Sequence, residues 1–146
     1  MKQTDILRRM ATLQYRITMN DRKPKSFGTE HLLYHSEIHL IDAIGDEKEI
    51  NATELSKKMN ITNGAVTQVT QKLIKKYLIK RYNKEPNQKT VYFSLTESGE
   101  IAYKNHKLFH KTLDDKVNEY LNGLTDDQLQ GIVGLIEITE DYLPRL

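Results

Sequence analysis

Residues 51–82 read NATELSKKMNITNGAVTQVTQKLIKKYLIKRY, and apolar side chains recur at helical spacing in two segments of this stretch. Asn51 can cap a short first helix, with Glu54 as its partner in a capping box. Residues 60–62 form a tight connection, and Thr62 can cap the second helix. Two helices joined by a turn of this length predict a helix-turn-helix.

The periodicity changes from helical to alternating after the second of these helices. Residues 78–82 and 90–95 predict two strands, and the polar loop 83–89 between them is too long for a two-residue turn. We therefore predict a mainly α fold with a small β-hairpin wing, a winged helix-turn-helix. Gly45 is predicted to end the helix before this unit, and residues 46–49 to form a polar turn. The predicted helices cover residues 4–20, 36–45, 52–59, 63–76, 97–122 and 126–144.

The composition is typical of a single globular domain, which we place over residues 1–146. Hydrophobic residues make up 38% of the chain and charged residues 29%, and no apolar run is long enough to cross a membrane. The first residues lack the apolar core of a signal peptide, so we expect a cytoplasmic protein. The absence of cysteine excludes disulfides, thiolate metal sites and a cysteine nucleophile. No catalytic triad pattern or phosphate-binding glycine loop points to an enzyme.

Positive charge is concentrated in the middle of the sequence. Residues 51–94 carry a net charge of +7, whereas residues 1–50 are neutral and residues 95–146 carry −5. A basic centre between neutral and acidic flanks is typical of a nucleic-acid surface on a scaffold that does not bind. A lysine-rich solvated face has the same composition, and charge alone does not separate the two interpretations.

The second helix of the helix-turn-helix has an outward face of small and amide-bearing side chains. The Gln68 amide can form two hydrogen bonds with adenine, and Ala65 and the Thr67 methyl group can contact thymine methyl groups. Gly64 lets the helix N-terminus approach a phosphate. The alternative is that these are ordinary solvated residues of a helix. The predicted DNA-binding residues are Thr62, Asn63, Gly64, Ala65, Thr67, Gln68, Gln71 and Lys72 on this helix, and Arg81, Lys84, Asn87, Gln88 and Lys89 on the wing.

A resemblance to a known family is carried by residues 51–62, 65–73, 78–81 and 95–99. In these segments the chain resembles the MarR family of small bacterial winged-helix regulators. The resemblance implies a homodimer that binds palindromic double-stranded operator DNA, as a repressor whose binding a small effector modulates. It also implies that residues 36–96 form the DNA-binding core, while residues 4–20 and 97–146 form interlocking dimerisation helices.

The chain departs from the family pattern at two positions that bear on DNA binding. The family usually has Asp-x-Arg in the wing, whereas this sequence has Asn87-Gln88-Lys89. Lysine lacks the planar fork of arginine, and asparagine cannot hold it through an ion pair. Tyr77 stands where a glycine commonly ends the second helix, which makes that turn costly if it needs a positive φ.

Three histidines, His39, His106 and His110, raise the question of an effector. His106 and His110 lie four residues apart on a predicted helix, a spacing that can present two imidazoles to one metal ion. Zinc-responsive members of the family use histidines in this region, whereas the similar fatty-acid-synthesis repressors respond to acyl groups. We expect no required cofactor, and an apolar or acyl effector more than a metal. A zinc site would have to be completed by Glu30, His31 or His35.

A winged helix can also serve as an adaptor that binds only other proteins. The acidic C-terminal segment suits that alternative, whereas the basic charge on the helix-turn-helix and wing does not. The two functions differ in their response to salt, because binding through several phosphates weakens steeply as salt rises.

Overall fold

The computed structural model describes residues 2–142, which form six helices and one small antiparallel sheet. This architecture confirms the prediction of a mainly α winged helix-turn-helix. The helices are α1 (Gln3–Asp21), α2 (His35–Glu47), α3 (Ala52–Met59), α4 (Asn63–Lys75), α5 (Glu97–Asn122) and α6 (Asp126–Tyr142), and the strands are β1 (Glu49–Asn51), β2 (Ile79–Asn83) and β3 (Val91–Leu95).

The starts of the central helices are set by the side-chain caps that the sequence predicts. Asn51 accepts a hydrogen bond from the N–H of Glu54 at 2.9 Å, and the Glu54 carboxylate accepts one from the N–H of Asn51. Thr62 Oγ1 accepts from the N–H of Ala65 at 3.1 Å, and Thr96 caps α5 in the same way. Each cap satisfies an N–H that has no acceptor within its helix.

The end of α2 differs from the prediction. The helix continues through Gly45 to Glu47, so Gly45 is not its C-terminal cap and residues 46–49 are not a polar turn. A Cβ atom on Gly45 would lie 2.5 Å from the ring of Tyr103, so close packing against α5 accounts for the glycine. The turn is made instead by Lys48, which adopts a φ of 63°.

The wing is part of a three-stranded sheet and not the isolated hairpin that the sequence predicts. β3 pairs with β2 on one side and with β1 on the other, so the strand order is β1-β3-β2. Ile50 of β1 lies opposite Phe93 of β3, and both are buried. With three residues, β1 is too short to show a period of two, and the sequence analysis missed it.

The apolar core of the first compact unit, which extends to Lys107, holds the helix-turn-helix together. α2 contributes the fully buried Leu40 and Ile41, and α4 contributes Val66 and Leu73. Leu55 of α3 is also fully buried. Because both helices of the motif bury their inner faces in this core, the outer face of α4 is held at a defined angle.

A buried ion pair fastens the end of α4 to the start of α2. Glu37 is 2% exposed, and its Oε1 lies 2.8 Å from Nζ of Lys76, the residue after α4. The same Nζ donates to the Leu32 carbonyl at 2.9 Å, and Glu37 Oε2 accepts from the N–H of Tyr34 at 2.8 Å. The charges are thus compensated by further hydrogen bonds, as burial requires.

Helices α1 and α6 expose apolar side chains along their length. α1 has no buried residue and exposes Leu7, Leu13 and Ile17. In the second compact unit, which begins at Leu108, α6 also has no buried residue and exposes Val133 and Ile136. Among residues 2–142, no helix is sufficiently long and apolar to cross a membrane.

Tyr77 is expected to reduce the stability of the fold. Its φ is 56° and its side chain is 79% exposed, so the left-handed conformation is not compensated by burial of the ring. Tyr77→Gly should raise the free energy of unfolding by about 0.5–1 kcal/mol. Urea unfolding at a fixed protein concentration measures this change.

The nearby substitution Lys75→Gly serves as the control, because Lys75 is helical. It should lower the free energy of unfolding by about 1 kcal/mol. Equal losses for both variants would contradict the account of Tyr77.

Candidate nucleic-acid interface

The outward face of α4 brings together side chains that the sequence predicts to bind DNA. Thr67, Gln68, Gln71 and Lys72 are exposed, whereas Val66, Thr70 and Leu73 on the opposite side are buried, and Ala65 is half-buried. Within residues 2–142, no side-chain hydrogen bond engages the amide of Gln68 or Gln71, so either amide can bond a base edge without first breaking a hydrogen bond.

The N-terminal end of α4 is open to solvent. Thr62, Asn63 and Gly64 are exposed, and the N–H groups of the first helical turn have no intrahelical acceptor. A Cβ atom on Gly64 would meet nothing closer than Thr62 Oγ1, at 3.9 Å. The fold itself therefore does not require a glycine here, although a glycine weakens a helix. A close approach by a ligand such as a phosphate is a physical reason for it.

The hydroxyl group of Thr67 is used within the helix. Its Oγ1 donates to the carbonyl of Asn63 at 3.0 Å. The methyl group is consequently the part of this side chain that remains for an apolar contact. This geometry fits the thymine-methyl contact that the sequence predicts for Thr67.

The pleat of the sheet sorts the basic residues of the wing onto two faces. Arg81 lies opposite Phe93 in the β2–β3 register and so shares the face that turns towards α4. There Arg81 lines a cleft together with Thr67 and Gln71. Lys80 and Tyr82 lie on the other face, because neighbouring residues of a strand alternate. The predicted residue Arg81 is therefore close to the exposed face of α4.

The tip of the wing is ordered by asparagine side chains. Asn83 Nδ2 donates to the carbonyls of Gln88 and Thr90 at 2.8 and 2.9 Å. Asn87 Oδ1 accepts from the N–H of Lys89 at 3.0 Å, and its Nδ2 donates to Thr90 Oγ1 at 2.9 Å. Asn87 thus shapes the backbone of the loop, while the side chains of Gln88 and Lys89 are exposed. Because residue 87 is an asparagine, it offers no carboxylate to pair with the ammonium group of Lys89.

Lys84, the other predicted basic residue of the wing loop, is engaged by a carboxylate. Its Nζ pairs with Glu49 of β1 and lies 4.6 Å from the centre of the Tyr92 ring. The second oxygen of Glu49 accepts from the Tyr82 hydroxyl. Glu49 was not predicted because residues 46–49 read as a polar turn, and the only sequence signal was its position beside the single apolar residue Ile50.

These contacts change the proton affinity of two groups in the wing. Partial burial and the hydrogen bond to Glu49 raise the pKa of Tyr82 to about 12. Hydrogen bonds from Lys84 and Tyr82 lower the pKa of the Glu49 carboxyl. Glu49 is therefore ionised at neutral pH, and the ion pair with Lys84 persists there.

Histidines and carboxylates form a cluster between α2 and the first part of α5. His106 is 4% exposed, and its Nδ1 lies 2.6 Å from Asp42 Oδ2. The His106 ring also has edge contacts with Phe27 and His39, with ring centres 5.1 and 5.4 Å apart. His35 and His39 have ring centres 4.0 Å apart. The sequence analysis missed Asp42, since nothing in the local pattern links it to a residue 64 positions away.

The metal candidates are not assembled into a binding site in the part of the chain that the structure describes. Over residues 2–142, no group of three or more histidine or acidic side chains could hold a metal ion. His110 belongs to the second compact unit, and His39 and His106 belong to the first. The candidates for completing the site, Glu30, His31 and His35, do not join them as ligands.

Known proteins resemble this chain in sequence. The sequence model of the MarR family matches residues 33–91. The HTH-type transcriptional regulator PchR of Bacillus subtilis (strain 168) is 31% identical over 102 residues, which cover 70% of this chain and 60% of PchR. This chain spans about three-fifths of the length of the curated relatives that it matches first.

Solved structures resemble this chain over nearly its whole length. FabT of Streptococcus pneumoniae, solved in complex with DNA, gives a TM-score of 0.71 at 23% identity, over 97% of this chain and 100% of that one. ZitR of Lactococcus lactis, a zinc-responsive MarR family member, gives a TM-score of 0.76 at 19% identity, over 97% and 100%. These likenesses show a shared fold.

The titration of Tyr82 tests the contact between the wing and β1. The phenol should ionise near pH 12, above the usual tyrosine value of about 10. Glu49→Gln should lower this pKa only part of the way, because burial is the larger cause and remains. The measurement is the phenolate absorbance of each protein minus that of its Tyr82→Phe counterpart. A pKa near 10 for Tyr82 in the unsubstituted protein would contradict the contact.

Proposed function

We propose that this chain is a transcription regulator of the MarR family, whose sequence model matches residues 33–91, and that it binds double-stranded DNA in a sequence-specific manner. The observation that carries the proposal is the exposed face of α4, where partner-free glutamine amides stand beside a basic wing. Its relatives are named as transcriptional regulators, and we propose no enzymatic activity.

The groups on this surface suit two kinds of contact with DNA. In the proposed complex Gln68 bonds an adenine, while Ala65 and the Thr67 methyl group contact thymine methyl groups in the major groove. The open end of α4 binds a phosphate at Gly64. The wing loop lies along the backbone or in the minor groove. The remaining proposed contacts are made by Thr62, Asn63, Gln71, Lys72, Arg81, Asn87, Gln88 and Lys89, with Lys84 contributing only when it leaves Glu49.

The proposed regulator is a homodimer. The support is the apolar surface that α1 and α6 expose, which water would otherwise cover. In a dimer on a palindromic operator, the α4 helix of each copy contacts one half-site. Residues 4–20 and 97–146 are the proposed dimerisation elements, of which residues 143–146 lie outside the described part of the chain. Residues 36–96 are the proposed DNA-binding core.

We further propose that the regulator is a cytoplasmic repressor, that it requires no cofactor, and that an apolar or acyl effector modulates it. His39 and His106 belong to an aromatic cluster with Phe27, a setting that suits an apolar ligand better than a metal ion. Differential scanning fluorimetry with acyl compounds and with zinc would separate these effectors.

Gln68→Ala tests base reading by α4. Loss of the amide should weaken binding to an operator selected from a randomised pool by about 1–3 kcal/mol, with little change on random duplex. Fluorescence anisotropy gives both affinities. Gln130→Ala on α6, another exposed glutamine, is the matched control and should change neither. Equal losses on both duplexes would show that Gln68 does not read a base.

The salt dependence of binding tests the wing and the proposed function together. The logarithm of the association constant for duplex should fall linearly with the logarithm of salt concentration, and Lys89→Ala should reduce the slope by about 0.9 on any sequence. A protein adaptor would bind no duplex at any salt concentration. If the wild-type protein binds and Lys89→Ala keeps its slope, the wing tip does not contact DNA.

Sedimentation tests the dimer. The wild-type protein should sediment as a dimer at micromolar concentration, and Ile136→Asp should shift it towards the monomer, because a carboxylate would be buried at the interface. Ile136 is 51% exposed in one chain, so the substitution leaves the fold of the monomer intact. Gln130→Asp on the same helix is the charge control. A monomeric wild-type protein would contradict the proposal.

A further inference from the structure

The ion pair of the wing crosses the whole sheet. Glu49 lies on β1, whereas Tyr82 lies on β2, and β3 separates the two strands. Neighbouring strands are about 4.8 Å apart, so the side chains of Glu49 and its partners together span roughly 10 Å of sheet surface. Register places these side chains on one face, since Glu49 and Lys80 both lie opposite Ser94, and Tyr82 lies two residues after Lys80.

Aromatic rings support this crossing. Tyr82 and Tyr92 stack with ring centres 6.0 Å apart and planes at 23°. The Lys84 ammonium lies over the Tyr92 ring while it pairs with Glu49. Lys84 therefore has two attractive partners on the face of the sheet that turns away from α4, and its charge is held there.

The ion pair between Lys84 and Glu49 is too exposed to add much to the stability of the fold. The side chains of Lys84 and Glu49 are 44% and 42% exposed, and ion pairs of this kind contribute little to folding. Its effect on charge is larger, because a lysine at the start of the wing loop is one additional group that could neutralise a phosphate of bound DNA. The ion pair removes that group from the interface.

We propose that Glu49 is a positioning residue of the DNA interface, which holds Lys84 on the outer face of the sheet and away from the DNA backbone. This inference rests on the proposed function. With Lys84 held, the wing contacts DNA through its tip, where Lys89 is exposed. Phosphate contacts carry no sequence information, so Glu49 limits the part of the affinity that is the same for every duplex.

Glu49→Gln tests the proposal against a short duplex of random sequence. Loss of the carboxylate charge releases Lys84, which then neutralises one more phosphate. Affinity should rise about fivefold at roughly 0.1 M salt, and the salt slope should steepen by about 0.9. Fluorescence anisotropy over a range of salt concentrations gives both quantities.

Glu47→Gln is the matched control. Glu47 is also an exposed carboxylate that pairs with a lysine, Lys58, at 2.7 Å, and the substitution changes the net charge equally. It should leave the slope at the wild-type value. The double variant Glu49→Gln/Lys84→Ala should also return to the wild-type slope, since the released group is then missing. Tighter binding that survives in this double variant would overturn the role of Lys84.

The outcomes separate this inference from the proposed function. A wild-type protein that binds no duplex overturns both. A wild-type protein that binds duplex with a normal salt response, together with a Glu49→Gln variant that matches Glu47→Gln in affinity and slope, overturns only the role of Glu49.

Discussion

The buried ion pair between Glu37 and Lys76 fixes the place where the second helix of the helix-turn-helix ends. Loss of Lys76 would leave the buried carboxylate of Glu37 uncompensated, at a cost of about 3–5 kcal/mol. Lys76 also donates to the Leu32 carbonyl, so the end of α4 is bonded both to α2 and to the loop before it. The orientation of the exposed α4 face depends on this attachment as much as on the apolar core beneath it.

The rest of the DNA-binding unit is built outward from that point. The chain turns at Tyr77, whose carbonyl accepts a hydrogen bond from Thr96 Oγ1 at 2.7 Å. The carbonyl of Leu78 accepts a second bond from the N–H of Thr96 at 3.1 Å. The start of α5 therefore lies against the end of α4. Strands β2 and β3 lie between these two points of the chain, so the base of the wing is attached to the end of α4.

Local features of the fold were predictable from the sequence, and features that join distant residues were not. The caps at Asn51 and Thr62 and the two faces of α4 depend on residues within one or two turns, so pattern analysis found them. Gly45 was misread because its neighbour Tyr103 is remote in sequence. Glu49 is likewise defined by partners more than thirty residues away, and no spacing rule reports such contacts.

The apolar stripes of α1 and α6 link the folding of each chain to its abundance. In the proposed dimer, association draws on surface that an isolated chain leaves in water, so binding of the second copy stabilises the folded state by mass action. The midpoint of thermal unfolding should accordingly rise with protein concentration. In a cell that holds few copies of the protein, the rate of its synthesis would then set two quantities. One is the fraction of the regulator that escapes proteolysis, and the other is the fraction of operator that is occupied.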